Sequence, residues 1–148
     1  MQIRTKYFGE TEINPEETIH FSQGLPGFLQ EKQFVLLGLE ENGFFQVLQS
    51  TVTEQLAFVV VNPFLFVEDY QLQLEDTVLE QLAIKHEQDV MVLAIVTVKD
   101  PLACSTANLQ APIVINHTNK RAKQYIIKSQ HYTPRETIFQ QAEKKEVE

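Results

Sequence analysis

Cysteine is nearly missing from this chain: Cys104 is the single one in 148 residues. One thiol excludes an internal disulfide and fits a reducing compartment. No apolar run reaches the roughly 18 residues that a membrane helix needs. The start, Met1-Gln2-Ile3-Arg4-Thr5-Lys6, lacks an apolar stretch of signal-peptide length. These absences point to a cytoplasmic protein with no membrane contact. Repeats, low-complexity tracts and linkers are also absent, so one domain with a single core is expected.

Bases are scarce where acids are dense. Residues 7–84 carry thirteen acids and one base, Lys32. Residues 101–135 reverse this, with no acid and five bases: Lys120, Arg121, Lys123, Lys128 and Arg135. Residues 136–148 return to net −2, from four acids and two lysines. Any soluble surface needs charge, so solvation accounts for part of this. Segregation of sign adds a second reading, an acidic face that attracts a basic partner. Direct nucleic-acid binding is disfavoured, because most of the chain would repel a phosphate backbone.

The tools of an enzyme are missing too. There is no phosphate-cradling Gly-rich loop ending in Gly-Lys-Ser/Thr and no Gly-x-Ser-x-Gly elbow. His20, His86, His117 and His131 lack ligand spacing to one another or to Cys104, so no metal and no cofactor is expected. Cys104 sits in no nucleophile motif and is expected to be a small buried residue. Paired carboxylates such as Glu68-Asp69 and Glu75-Asp76 would need a pocket to do acid–base work.

What is present is strand. Phe34–Leu37, Phe45–Gln49, Ala57–Val61, Val90–Val98, Pro112–Ile115 and Gln124–Ile127 are short apolar or alternating segments. Val90–Val98 is apolar at nearly every position and should be a central strand buried on both faces. Phe45–Gln49 alternates and should show one face to water. His117–Lys120 suits a hairpin turn between the last two segments. Helix is confined to Thr77–Leu82, where Thr77 and Glu80 have capping-box spacing, and to a short stretch near Thr53. All five glycines fall in the first 43 residues and divide that half into short strands and turns. The fold class is therefore all-β and mainly antiparallel, a small irregular β-barrel over residues 1–135 with one to three short helices. Residues 136–148 should form a frayed or partly helical tail.

Two stretches suggest a contact surface. Gly24-Leu25-Pro26-Gly27-Phe28 has the makings of a tight turn, with Pro26 fixing φ and Gly27 admitting positive φ. Leu25 and Phe28 would either cap the barrel or offer apolar contact. Asn62-Pro63-Phe64-Leu65-Phe66-Val67-Glu68-Asp69-Tyr70 puts an apolar run beside acids. Phe64 and Phe66 either tuck inward or make an apolar patch next to Glu68, Asp69, Glu75 and Asp76, an arrangement suited to a basic partner. A competing reading is a small ligand-binding or enzymatic barrel, which would need a defined pocket. Another is an RNA surface of Lys120, Arg121, Lys123, Tyr125 and Lys128, with base stacking on Tyr125.

Four elements taken together resemble the bacterial flagellar assembly factor FliW family. They are Ile19-His20-Phe21 leading into Gly24-Leu25-Pro26-Gly27-Phe28; Leu56-Ala57-Phe58 with Asn62-Pro63; Asp69-Tyr70; and Thr106-Ala107-Asn108-Leu109-Gln110-Ala111-Pro112-Ile113-Val114-Ile115-Asn116. Within them Gly24, Pro26, Gly27, Asn108, Leu109, Ala111, Pro112 and Asn116 carry the motif. The family often has Asp-Pro or Glu-Pro where this chain has Asn62-Pro63. The resemblance implies a non-catalytic binding protein with two partners. One is flagellin. The other is CsrA, a small basic RNA-binding dimer that represses flagellin translation. Export of flagellin would free the factor to engage CsrA and lift repression. A monomer is expected when neither partner is bound. On this reading Glu68, Asp69, Glu75 and Asp76 face CsrA, and Phe64, Phe66, Leu25 and Phe28 supply apolar contacts.

Overall fold

A computed structural model describes residues 1–39, 43–128 and 131–139. The strands in chain order are β1 (Gln2–Thr5), β2 (Gly9–Glu12), β3 (Ile19–His20), β4 (Gln33–Gly38), β5 (Phe45–Ser50), β6 (Ala57–Val61), β7 (Val90–Thr97), β8 (Thr106–Ala107), β9 (Ile113–Asn116) and β10 (Arg121–Gln124). One α-helix, α1 (Asp76–Gln81), lies among the described residues, with four single-turn 3-10 segments.

β1 and β2 form a separate hairpin. The other eight strands run β6-β5-β4-β3-β10-β9-β7-β8, and β6 also pairs with β7. That last pairing, Val59↔Val96 to Val61↔Ala94, closes seven strands into a ring and leaves β8 as a branch on β7. All pairs are antiparallel except β10–β3, which meet in parallel at Arg121↔His20. Closure matters because an open edge offers unpaired N–H and C=O groups. The expected mainly antiparallel all-β class with few helices holds.

Side-chain period places the core. Within β6 and β7, Val60 and Leu93 point inward, with Ile95 packed against them, while Val61, Ala94 and Val96 point outward. The interior holds Phe21, Phe34, Leu48, Val60, Leu93, Ile113 and Ile115, all buried. Each such side chain contributes roughly 1.5–3 kcal/mol on burial. The outward faces are covered as well. Residues 66–70 and 138–139 lie over β6, β7 and β8. The stretch Leu72–Ile84 covers Val114 and Tyr125. The β1–β2 hairpin covers Val35 with Ile3 and Ile13. β7 is thus the central strand that its composition predicts.

Several local expectations are corrected. β5 does not show a face to water: Gln49 is fully buried. Its side-chain Oε1 accepts from Lys6 N–H at 2.9 Å, and its side-chain Nε2 donates toward the carbonyls of Ser50, Thr53, Glu54 and Leu56 at 3.1–3.4 Å. The stretch near Thr53 is a turn held by Ser50 Oγ, which accepts from Val52 and Thr53 N–H, and not a helix. α1 begins at Asp76 with Glu75 as its cap, and no side-chain cap bond forms. Thr77 therefore sits inside the first turn, where its hydroxyl cannot close the capping box. The last strand is β10 at Arg121–Gln124, with Tyr125 and Ile127 continuing alongside through N–H bonds to Pro112 and Gln110 carbonyls. Cys104 is exposed, at the end of a 3-10 turn, Leu102–Cys104. The packed body runs past Arg135: Glu136 bridges Ala107, and Ile138 and Phe139 are buried. The rest of the expected tail, residues 140–148, lies outside the described residues.

Candidate protein-binding surface

After β6, Asn62 starts a 3-10 turn, Pro63–Leu65, by accepting from Phe64 N–H at 3.0 Å. An amide oxygen does this as a carboxylate would, so the cap needs no charge at position 62. The chain then runs through Glu68 and Asp69 to Tyr70, whose ring is buried and whose hydroxyl donates to Leu109 carbonyl at 2.7 Å. Burial raises the Tyr70 pKa, and neighbouring Tyr132 raises it further, so Tyr70 remains a neutral donor.

From Gln71 to Glu75 exposure alternates: Gln71, Gln73 and Glu75 face out, while Leu72 and Leu74 are half-buried against Val78, Val114 and Tyr125. This ridge separates two grooves. The larger, about 860 Å³, runs between the ridge and the segment after β10, with Asp69, Glu75, Ile127, Lys128, His131 and Tyr132 among its lining. Its walls are tied by Gln71 N–H to Tyr132 hydroxyl at 2.9 Å, by Tyr125 hydroxyl to Gln73 carbonyl at 3.3 Å, and by a Lys128–Glu75 ion pair at 2.8 Å. The Lys128 pKa is raised, first by its hydrogen bond to Glu75 and then by that carboxylate's charge. The smaller groove, about 460 Å³, is mainly apolar, lined by Phe64, Leu79, Ile84, Val90 and Val92.

Of the four predicted acids, Asp69 and Glu75 meet on the large groove. Glu68 lies in a neighbouring recess beside Phe66 and Ile138, and Asp76 is the exposed first residue of α1. The apolar candidates separate. Phe64 is 45% exposed, rests on Tyr70 and lines the small groove. Phe66 is half-buried among Phe44, Phe45 and Phe139 and serves packing. Leu25 is buried in the ring's core, which corrects its assignment as a contact residue. Phe28 is 43% exposed, packs edge-on against Phe58 and lines neither groove. Between Leu25 and Phe28 the Pro26-Gly27 turn is closed by Phe28 N–H to Leu25 carbonyl at 2.7 Å, with Gly27 at φ +83°.

The residues of the RNA reading are differently disposed, with Arg121 exposed at the start of β10 and the others engaged. Tyr125 is buried, Lys120 pairs with Glu17 at 3.3 Å, Lys123 donates to Gln81 at 2.9 Å, and Lys128 is held by Glu75. The ring interior is filled by the buried side chains of Phe21, Phe34, Leu48, Val60, Leu93, Ile113 and Ile115. Among the described residues no three His, Cys, Asp or Glu are grouped to hold a metal ion, and no helix is long and apolar enough to cross a membrane.

A family model described as FliW protein matches residues 2–138. The chain belongs to the FliW family. It is 49% identical over 138 residues to the flagellar assembly factor FliW of Bacillus licheniformis, covering 93% of this chain and 96% of that one. Against FliW of Bacillus subtilis the identity is 46% over 138 residues, with the same coverage. A crystal structure of the flagellar assembly factor FliW superposes with a TM-score of 0.89 at 47% identity, covering 94% of this chain and 97% of that one.

Of the FliW motif residues, those of the Asn108–Asn116 stretch are bonded to the segments that form the grooves, whereas Gly24, Pro26 and Gly27 line neither groove. Asn108 accepts from Ala111 N–H at 3.0 Å, Leu109 receives Tyr70, and buried Pro112 receives Tyr125 N–H. Asn116 is fully buried and donates to Leu82 and Ala83 carbonyls at 2.8 and 3.2 Å, which anchors the end of α1. Sequence reasoning missed Tyr132 and the ridge, and it placed Lys128 on an RNA surface and not in this groove. The ridge had a signal, the alternation Gln71-Leu72-Gln73-Leu74-Glu75. Lys128 and Tyr132 had none, because they are remote in sequence from the acids they face.

Proposed function

We propose that this chain is a cytoplasmic flagellar assembly factor that binds flagellin and antagonises CsrA by protein contact, without catalysis, coupling flagellin export to flagellin translation. Family membership supports the flagellar setting. The observation that carries the partner assignment is the joint placement of Asp69 and Glu75 on one groove with half-buried Leu72, Leu74 and Ile127. Acids beside desolvated apolar area suit a small basic protein. The apolar groove around Phe64, Leu79 and Ile84 suits an amphipathic helix of flagellin.

The test is a pair of charge reversals at the two acids that line the large groove, Asp69→Lys with Glu75→Lys. Like charges would then face the basic partner, and CsrA binding should weaken by about 1–3 kcal/mol. Flagellin binding should suffer less, since apolar contact dominates there. Asp76 is a poorer probe, because an acid in a first helical turn also stabilises the helix dipole. Titration against each partner, with thermal melting as a folding control, reads the result. Unchanged CsrA affinity in the folded variant would move the site elsewhere.

A further inference from the structure

We propose that Lys128 is a built-in competitor for the acidic groove, holding the Glu75 carboxylate where a lysine or arginine of an incoming basic segment would sit. This rests on the reading that the groove receives a basic protein. Lys128 and Glu75 come from opposite walls, one following β10 and the other preceding α1, and they meet at 2.8 Å across the groove. Their side chains are 83% and 44% exposed, so the pair can be exchanged without opening the core. The walls do not depend on it. Tyr125 and Tyr132, buried and half-buried, hold the ridge through their hydroxyls. Asp69, on the same groove, makes no ion pair among the described residues. The groove therefore shows a cation-accepting carboxylate already occupied, a second carboxylate still open, and apolar flanks at Leu72, Leu74 and Ile127. The occupant that fits is a polypeptide segment with a Lys or Arg set between apolar side chains.

The consequence has an unusual sign: removing Lys128 should improve binding. Exposed ion pairs shift equilibria by roughly 1.5- to 5-fold, so Lys128→Gln should tighten a basic partner by that factor. The experiment titrates wild type, Lys128→Gln, Glu75→Gln, the double variant and Arg121→Gln against purified CsrA and against a synthetic peptide alternating lysine and leucine. Arg121→Gln removes the same charge from the exposed start of β10 and controls for net charge. Melting curves confirm folding. Tightening by Lys128→Gln, lost on the Glu75→Gln background and absent in Arg121→Gln, supports the competitor role. Equal or weaker binding by Lys128→Gln overturns it, as does tightening that survives without Glu75 or that Arg121→Gln reproduces. If wild type binds the peptide but not CsrA, the proposed function fails while the peptide series still judges Lys128. Binding of neither probe overturns both.

Discussion

Two glycines in the turn after β3 share a backbone sign and differ in what surrounds them. Gly24 lies at φ +66°, and a Cβ there would stand 2.4 Å from Leu29 carbonyl oxygen, inside any tolerable contact. Gly27 lies at φ +83° with open space around it. A left-handed L-residue costs about 1–2 kcal/mol. Gly27→Ala should lose that much and lower the melting midpoint by a few degrees. Gly24→Ala must also displace a backbone, so it should lose clearly more. Thermal melting of the two variants checks the order, and equal losses would mean that the Leu29 backbone yields freely. Position 49 makes the complementary point for polar groups. Gln49 alternates with apolar neighbours as a solvent-facing residue would, yet it is fully buried, because the link between β1 and β2 folds over it and donates Lys6 N–H.

At the scale of elements, the segment beyond Arg135 belongs to the packed body. Glu136 and Ala107 exchange two backbone bonds at 2.9 Å, and Phe139 stacks on Phe45 at 5.6 Å and meets Phe66 edge-on at 5.0 Å. Truncating one buried Phe side chain costs about 3–5 kcal/mol. Phe139→Ala should therefore lower the denaturation midpoint strongly. A chain stopped after Arg135 should do worse, because it also gives up Ile138 and the bridge to β8. A truncated protein that melts like the full chain would show this layer to be dispensable. α1 illustrates the same dependence on neighbours. A helix of six residues is too short to persist alone. It is held by Val78 and Leu82 against Val114 and Tyr125, and by the Asn116 amide at its end.

For the molecule as a whole, charge is the dominant feature. Thirteen acids and one base over residues 7–84 give one part of the chain a strongly negative field. Exposed charges interact over about 8 Å at physiological ionic strength. Association with the basic partner proposed here should slow steadily as salt rises above ~0.15 M, measured as on-rates by stopped flow or surface binding. A flat rate across that range would make the acidity incidental and leave apolar contact as the source of affinity. The closed ring is the rigid frame for this surface. Because β6 pairs with β7, the ridge, α1 and the segment after β10 are all mounted on strands that cannot splay apart.

Local composition was enough to recognise β4, β5, β6, β7 and β9, the tight turn and the family, while the short strands β1, β2 and β8 carry no long apolar run and went unread. Period-two apolar runs, Pro26-Gly27 and the Asn108–Asn116 stretch are contiguous, so their physics lies within a few residues. The central position of β7 followed from its unbroken apolar run for the same reason. Tertiary structure alone decided which faces are covered and which charges meet. Gln49, Leu25 and Phe66 were drawn inside by segments far from them in the chain. Tyr125, which looked available for stacking, lies beneath Leu72 and Leu74. The acidic groove is half built from Lys128 and Tyr132, about 50 to 60 residues beyond Glu75 and Gln71, as the pairs separated by 53 and 61 positions show. A groove is a relation between distant segments brought together by ring closure, and sequence spacing carries no record of that distance in space.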